Sequence, residues 1–153
     1  MKRAAAATFA CLIALTGSAI AQEHWTEGPV WLCSAIRTTE GHFDDYMEYL
    51  RGDYYTVQQE SIKAGLLKDS KVYVRAPADP DDYDVLICDL FENAGKALDY
   101  SAADDAKADE IAAKVYGTPD EDSQQEMIKP RFEMRKILGT TMVREVTLKP
   151  LEK

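Results

Sequence analysis

The run Tyr83-Asp-Val-Leu-Ile-Cys-Asp-Leu-Phe91 constrains this chain most, because it is apolar at both of its alternating positions. Successive side chains of a strand point to opposite faces. Val85, Ile87 and Phe91 therefore share one face, and Leu86, Cys88 and Leu90 the other. A soluble protein does not leave either set in water across several strands, so the sheet that holds this strand needs cover on both sides. Helices supply cover for one face. A second layer has to supply the rest.

The segments around this strand give it neighbours. Pro29 to Arg37 is rich in strand-favouring residues and reads as the first strand, after a polar lead-in at residues 22–28. Thr38-Thr39-Glu40-Gly41 follows as turn and cap, with Asp44 and Asp45 in a first helical turn. Phe43, Met47, Leu50, Tyr54 and Val57 then recur at steps of four and three, which predicts one long helix ending at Gly65, with Gly52 marking close packing or a bend. Lys71–Arg75 reads as a second strand, joined to Tyr83–Phe91 by a proline-rich loop over residues 76–82. Residues 95–116 are helical in propensity, with Gly117 as the stop. Thr118-Pro119-Asp120-Glu121 reads as a capping box with Thr118 as N-cap, opening a further helix that Pro130 kinks or divides. Its remainder, Arg131 to Leu138, is expected to stop at Gly139, and Thr140 to Leu148 closes the chain as a β-branched strand.

Residues 1–21 read as an export signal. Lys2 and Arg3 form a basic start, Ala4 to Leu15 a mostly apolar stretch, and Ala19 and Ala21 the small residues preceding cleavage at Gln22. The stretch is too short to span a bilayer, and the lead-in to Cys11 is a poor lipoprotein signal. The mature protein is expected to be periplasmic or secreted. Removing 21 of 153 residues leaves 132, enough for one domain over residues 29–150. The remainder carries 16 basic against 27 acidic side chains, a charge of −11 that opposes nucleic acid and anionic membranes as partners. Cys33 and Cys88 are either a disulfide, which an oxidising compartment permits, or small buried hydrophobes. His24 and His42 are the sole histidines, and with no Cys-x-x-Cys or His-Glu-x-x-His spacing no metal site is expected.

Strand, long helix, strand, strand, helical region, strand is the βαββαβ order of a ferredoxin-like α+β domain, here with an extra helix before the last strand. Over about Val30 to Leu148 the chain resembles the dimeric α/β-barrel superfamily in element order, long first helix and terminal strand. The resemblance implies a homodimer in which two sheets pack face to face, and a small-molecule pocket between sheet and helices in each subunit. Members include cofactor-independent oxygenases, haem-degrading enzymes, dehydratases, decarboxylases and cyclases acting on aromatic compounds. The resemblance thus implies a small-molecule ligand without choosing the chemistry.

His42, at the start of the first helix, is a candidate general base overlooking such a pocket, or a surface residue. Asp89 stands in an apolar strand and needs a cation or donors, which Arg37, Arg75 and Arg144 are placed to supply from strand ends. With Tyr46, these two form the candidate catalytic set. Arg37, Arg75, Arg144, Trp31 and Tyr54 form the candidate substrate-binding set, and Tyr46, Tyr49, Tyr54, Tyr55 and Tyr73 suit an aromatic ligand. Tyr54 lies on the apolar stripe, where core packing is its other reading. The leading expectation is a cofactor-free lyase, decarboxylase or isomerase working by proton transfer on an aromatic or phenolic compound. A cofactor-independent monooxygenase is a variant, marked by oxygen consumption. A ligand-binding or stress-related barrel without turnover is the alternative.

Overall fold

The computed structural model describes residues 24–151. The expected signal segment at residues 1–21 and the first residues of the lead-in lie outside them. The elements run β1 (Trp25–Thr38), α1 (Phe43–Tyr49), a π-helical turn (Leu50–Tyr54), α2 (Tyr55–Lys63), β2 (Asp69–Val74), β3 (Val85–Phe91), α3 (Ala94–Leu98), α4 (Ala102–Tyr116), α5 (Glu121–Ile128), α6 (Arg131–Met134) and β4 (Arg135–Leu148). The four strands form one sheet in the order β2-β3-β1-β4 with every pairing antiparallel. The domain is thus α+β, compatible with a ferredoxin-like fold.

Register decides which alternation set meets the helices. Ile36 faces Val85 and Ser34 faces Ile87 across β1 and β3. Ile36, Val85 and Ile87 join Tyr46 and Leu50 of the helical layer in the core. Val85, Ile87, Asp89 and Phe91 therefore point to the helices, and Leu86, Cys88 and Leu90 to the open face, which they share with Trp31 and Cys33. Tyr46, Ile36, Val30 and Val85 are fully buried, each contributing roughly 1.5–3 kcal/mol by leaving water. The helical layer stops short of β4, every position of which is exposed after Arg135.

Several expected boundaries move. The first helix is two helices joined by a π turn, because Gly52 leaves the helical region at φ −88°, ψ −120°. A Cβ at Gly52 would meet nothing within 4 Å, so the glycine marks a bend rather than close packing. Tyr46, three residues after Phe43 and four before Leu50, joins the expected stripe at the core, with Phe43, Met47 and Tyr54 packed against it. Gly65 and Gly117 do terminate helices, at φ 76° and 71°, conformations that suit a residue without a Cβ. The helical region after β3 breaks at Asp99, and Ser101 caps α4. Asp120 rather than Thr118 caps α5, accepting from the Ser123 amide, while the Thr118 hydroxyl accepts from the Asp120 amide. After Pro130 only one short helix remains. Ile137 and Leu138, expected in that helix, belong to β4. Gly139 pairs with Ala35 and Ile137 with Ile36, so Leu138 is the extra residue of a β-bulge. At the other end β1 begins earlier than expected, with Trp25 pairing Leu148.

Cys33 and Cys88 face one another across β1 and β3 at a Cα separation of 4.1 Å and are joined by a disulfide. The bond ties the two central strands together on the open face. Among the described residues no helix is long and apolar enough to cross a membrane.

Candidate functional site

Asp89 lies near the centre of the sheet, on the helix-facing side, opposite Leu32 of β1 and Ser70 of β2. Among the described residues no cation pairs with it. Its carboxylate instead accepts from the Ser70 hydroxyl at 2.7 Å and from the Gln58 side-chain amide at 3.1 and 3.2 Å. Gln58 stands one helical turn beyond Tyr54, so the same amide nitrogen also donates to the Tyr54 phenol oxygen at 2.8 Å. The phenol and the Ser70 hydroxyl are 3.5 Å apart. With the Ser70 proton on Asp89 and both Gln58 amide protons engaged, the phenol proton is directed at Ser70 Oγ. Phenol, hydroxyl and carboxylate thus lie in sequence, with a short contact between Ser70 and Asp89 and a long one between Tyr54 and Ser70.

The electrostatics suit such a chain. Burial raises the Asp89 carboxyl above its ordinary range, against the bonds from Ser70 and Gln58, which favour the ionised form. Burial also raises the Tyr54 phenol, and the Asp89 carboxylate beside it pushes in the same direction. The carboxyl therefore holds a proton more readily than an exposed one, and the phenol keeps its own.

The expected catalytic and binding residues do not gather around this cluster. His42 is the N-cap residue of α1, half exposed, with Nδ1 3.0 Å from the Asp45 carboxylate. It follows the end of β1, six positions and so roughly 20 Å along the strand from the residue that faces Asp89. The three arginines expected to pair with Asp89 are engaged by other acids. Arg37 is 3.8 Å from Asp84, whose carboxylate also accepts the Thr38 amide and hydroxyl at the end of β1. Arg75 pairs with Asp82 at 2.7 Å and lies over the Tyr83 ring, and Arg144 pairs with Glu27. Trp31 and Tyr54 sit on opposite faces of the sheet. Trp31 donates to Glu145 at 2.7 Å with the Lys71 ammonium 5.0 Å over its ring, whereas Tyr54 packs under the helices. Tyr46 is wholly buried, and its phenol accepts from Arg135 at 2.6 Å. Burial pushes that phenol up to about 12.

Sequence reasoning passed over Gln58, Ser70, Arg131 and Arg135. Gln58 was legible in principle, four residues after Tyr54 on the same helix face. The arginines were not, since which of six described arginines lacks an acid is settled by tertiary neighbours. Among the described residues, no group of three His, Cys, Asp or Glu side chains is placed to hold a metal ion. No protein-family model matches this sequence, and no curated protein matches it.

Proposed function

We propose that the protein is an exported homodimer that acts without a cofactor on a small aromatic or phenolic compound, by proton transfer leading to elimination, decarboxylation or isomerisation. The Asp89–Ser70–Tyr54 chain carries this reading: a half-buried carboxylate with no cation, raised by burial, linked to a phenol through one hydroxyl. Asp89 is the base of the proposal, in place of His42, whose ring is occupied by Asp45 at the end of the sheet. A positioned acid or base of this kind is worth about 10²–10⁴-fold in rate. Binding without turnover is the second reading, favoured by the separation of His42 from Asp89.

Asp89→Asn keeps an acceptor for Ser70 and Gln58 but removes the titration. A raised carboxyl contributes stability that is fully present below the ordinary carboxylate range and is lost as pH rises through the folded value. The substitution is therefore expected to stabilise the protein more at neutral pH than in acid, and to abolish conversion of any aromatic acid that a mass-monitored screen identifies. A melting-temperature gap that stays constant with pH refutes the burial argument. Full activity in the variant refutes the base.

The disulfide supports export, since such bonds persist in oxidising compartments. The open face, with Trp31, Leu86, Leu90 and Val143, supports a second copy of the chain as its cover, because the same face on a twofold partner presents an apolar set of equal extent. Native mass spectrometry of the exported protein is expected to give twice the mass of a chain beginning at Gln22. A monomer, or a chain that retains Met1, overturns the corresponding half of this assignment.

A further inference from the structure

The helix that covers Asp89 has few apolar anchors. The core cluster and its apolar surround draw on Phe43, Tyr46, Met47 and Tyr49 of α1, Leu50 and Tyr54 of the π turn and Met134 of α6, but on no residue of α2. Within α2 only Ser61 is buried. Both ends of the helix are broken by glycine. Gly52 leaves the helical region at φ −88°, ψ −120°, with open space where a Cβ would stand, and Gly65 turns the chain at φ 76°. A segment bounded in this way, with little apolar surface committed to the core, is of the kind that opens without global unfolding.

What joins α2 to the sheet is polar. The Gln58 amide donates to both oxygens of Asp89, at 3.1 and 3.2 Å, so a ligand has to displace Gln58 to reach the carboxylate. Gln58 and Tyr54 face Asp89 from the helical side, Ser70 from β2 and Leu32 from β1. The Tyr54 phenol is the other titratable group of this set, and it keeps its proton. Burial raises the Asp89 carboxyl, so the closed arrangement holds that proton more tightly than an open, hydrated one does. By linkage, loss of the proton favours opening. The remaining tie of α2 is the Glu60–Lys114 pair to α4, at 2.6 Å. Lys114 and Lys63 hold the Glu60 carboxyl down to about 2, so Glu60 stays ionised throughout the range in which a raised carboxyl titrates.

We propose that α2 is a lid over Asp89, latched to the sheet by Gln58 and released when the Asp89 carboxyl ionises. The open lid bares the carboxylate that the proposed reaction uses, and to that extent the inference rests on that reading. Hydrogen exchange followed by mass spectrometry tests the lid without any substrate, so its failure and the failure of the reaction are separate results. Exchange is followed from acid to neutral pH, corrected for its intrinsic pH dependence, with α4 as the internal reference. In the wild type, protection of residues 55–63 relative to residues 102–116 is expected to fall as pH rises through the carboxylate range. Asp89→Asn is expected to hold that ratio constant. Gln58→Ala is expected to lose about tenfold of the protection of α2 in acid, the worth of one hydrogen bond, with α4 unchanged. Glu60→Gln, which weakens the pair with Lys114, is expected to leave the pH dependence in place. A constant ratio in the wild type, or a pH dependence that survives Asp89→Asn, overturns the proposal. Loss of protection in α4 together with α2 overturns it too, because the whole domain is then loosening. If Gln58→Ala does not fold, the wild-type series and Asp89→Asn decide the matter.

Discussion

A variant with both Cys33→Ala and Cys88→Ala is expected to melt about 10–15 °C below the unaltered protein. The bond joins directly opposed residues of the two central strands and closes a loop across 55 positions. On the chain-entropy account, a cross-link of that span removes about 4 kcal/mol of disorder from the unfolded state. For a domain of this size, each kcal/mol corresponds to a few degrees in melting temperature. Reduction of the wild type by a dithiol before melting is expected to produce a similar fall, and to do nothing to the double variant, which separates the bond from the side-chain change. Protein that reacts with a thiol reagent when denatured without reductant, or a double variant within about 2 °C of the wild type, removes the disulfide from the account of stability.

What the sequence made legible was periodicity, and what it concealed was partnership. The two apolar sets of Val85–Phe91 announced a sheet needing cover on both sides, and the proline loop at residues 76–82 announced the hairpin that β2 and β3 form. Gly65 and Gly117 stop helices as read, because a left-handed residue at a helix end is a local requirement. The start of β4 was lost for the opposite reason. Ile137 and Leu138 fit a helical stripe as well as a strand, and the pairing of Ile137 with Ile36, about a hundred positions earlier in the chain, decides between them. The same holds at the site. That Asp89 needs donors follows from its place in an apolar run, but Gln58 and Ser70 rather than an arginine supply them because α2 and β2 bring neutral groups there first. Arg37, Arg75 and Arg144 each had an acid nearer in space.

Tyr46→Ala is expected to lower the free energy of unfolding by about 3–5 kcal/mol, the range for removing a large aromatic from a packed interior. The ring has no exposure and fills the space between Ile36, Leu50, Val85 and Ile87, so its loss leaves a cavity that β1, β3 and the π turn would have to collapse to fill. It also strips Arg135 of the acceptor for Nη1 when its Nε already has none. Tyr46→Phe separates the two effects. The ring stays, the phenol oxygen goes, and the expected cost falls to about 1.5–3 kcal/mol, the worth of a hydrogen bond to a charged group. Denaturant unfolding at neutral pH measures both. If Tyr46→Ala costs under about 1 kcal/mol, the side chain does not hold the core together. If Tyr46→Phe costs nothing while Tyr46→Ala costs several kcal/mol, packing alone keeps the residue there, and the Arg135 guanidinium finds its partner elsewhere.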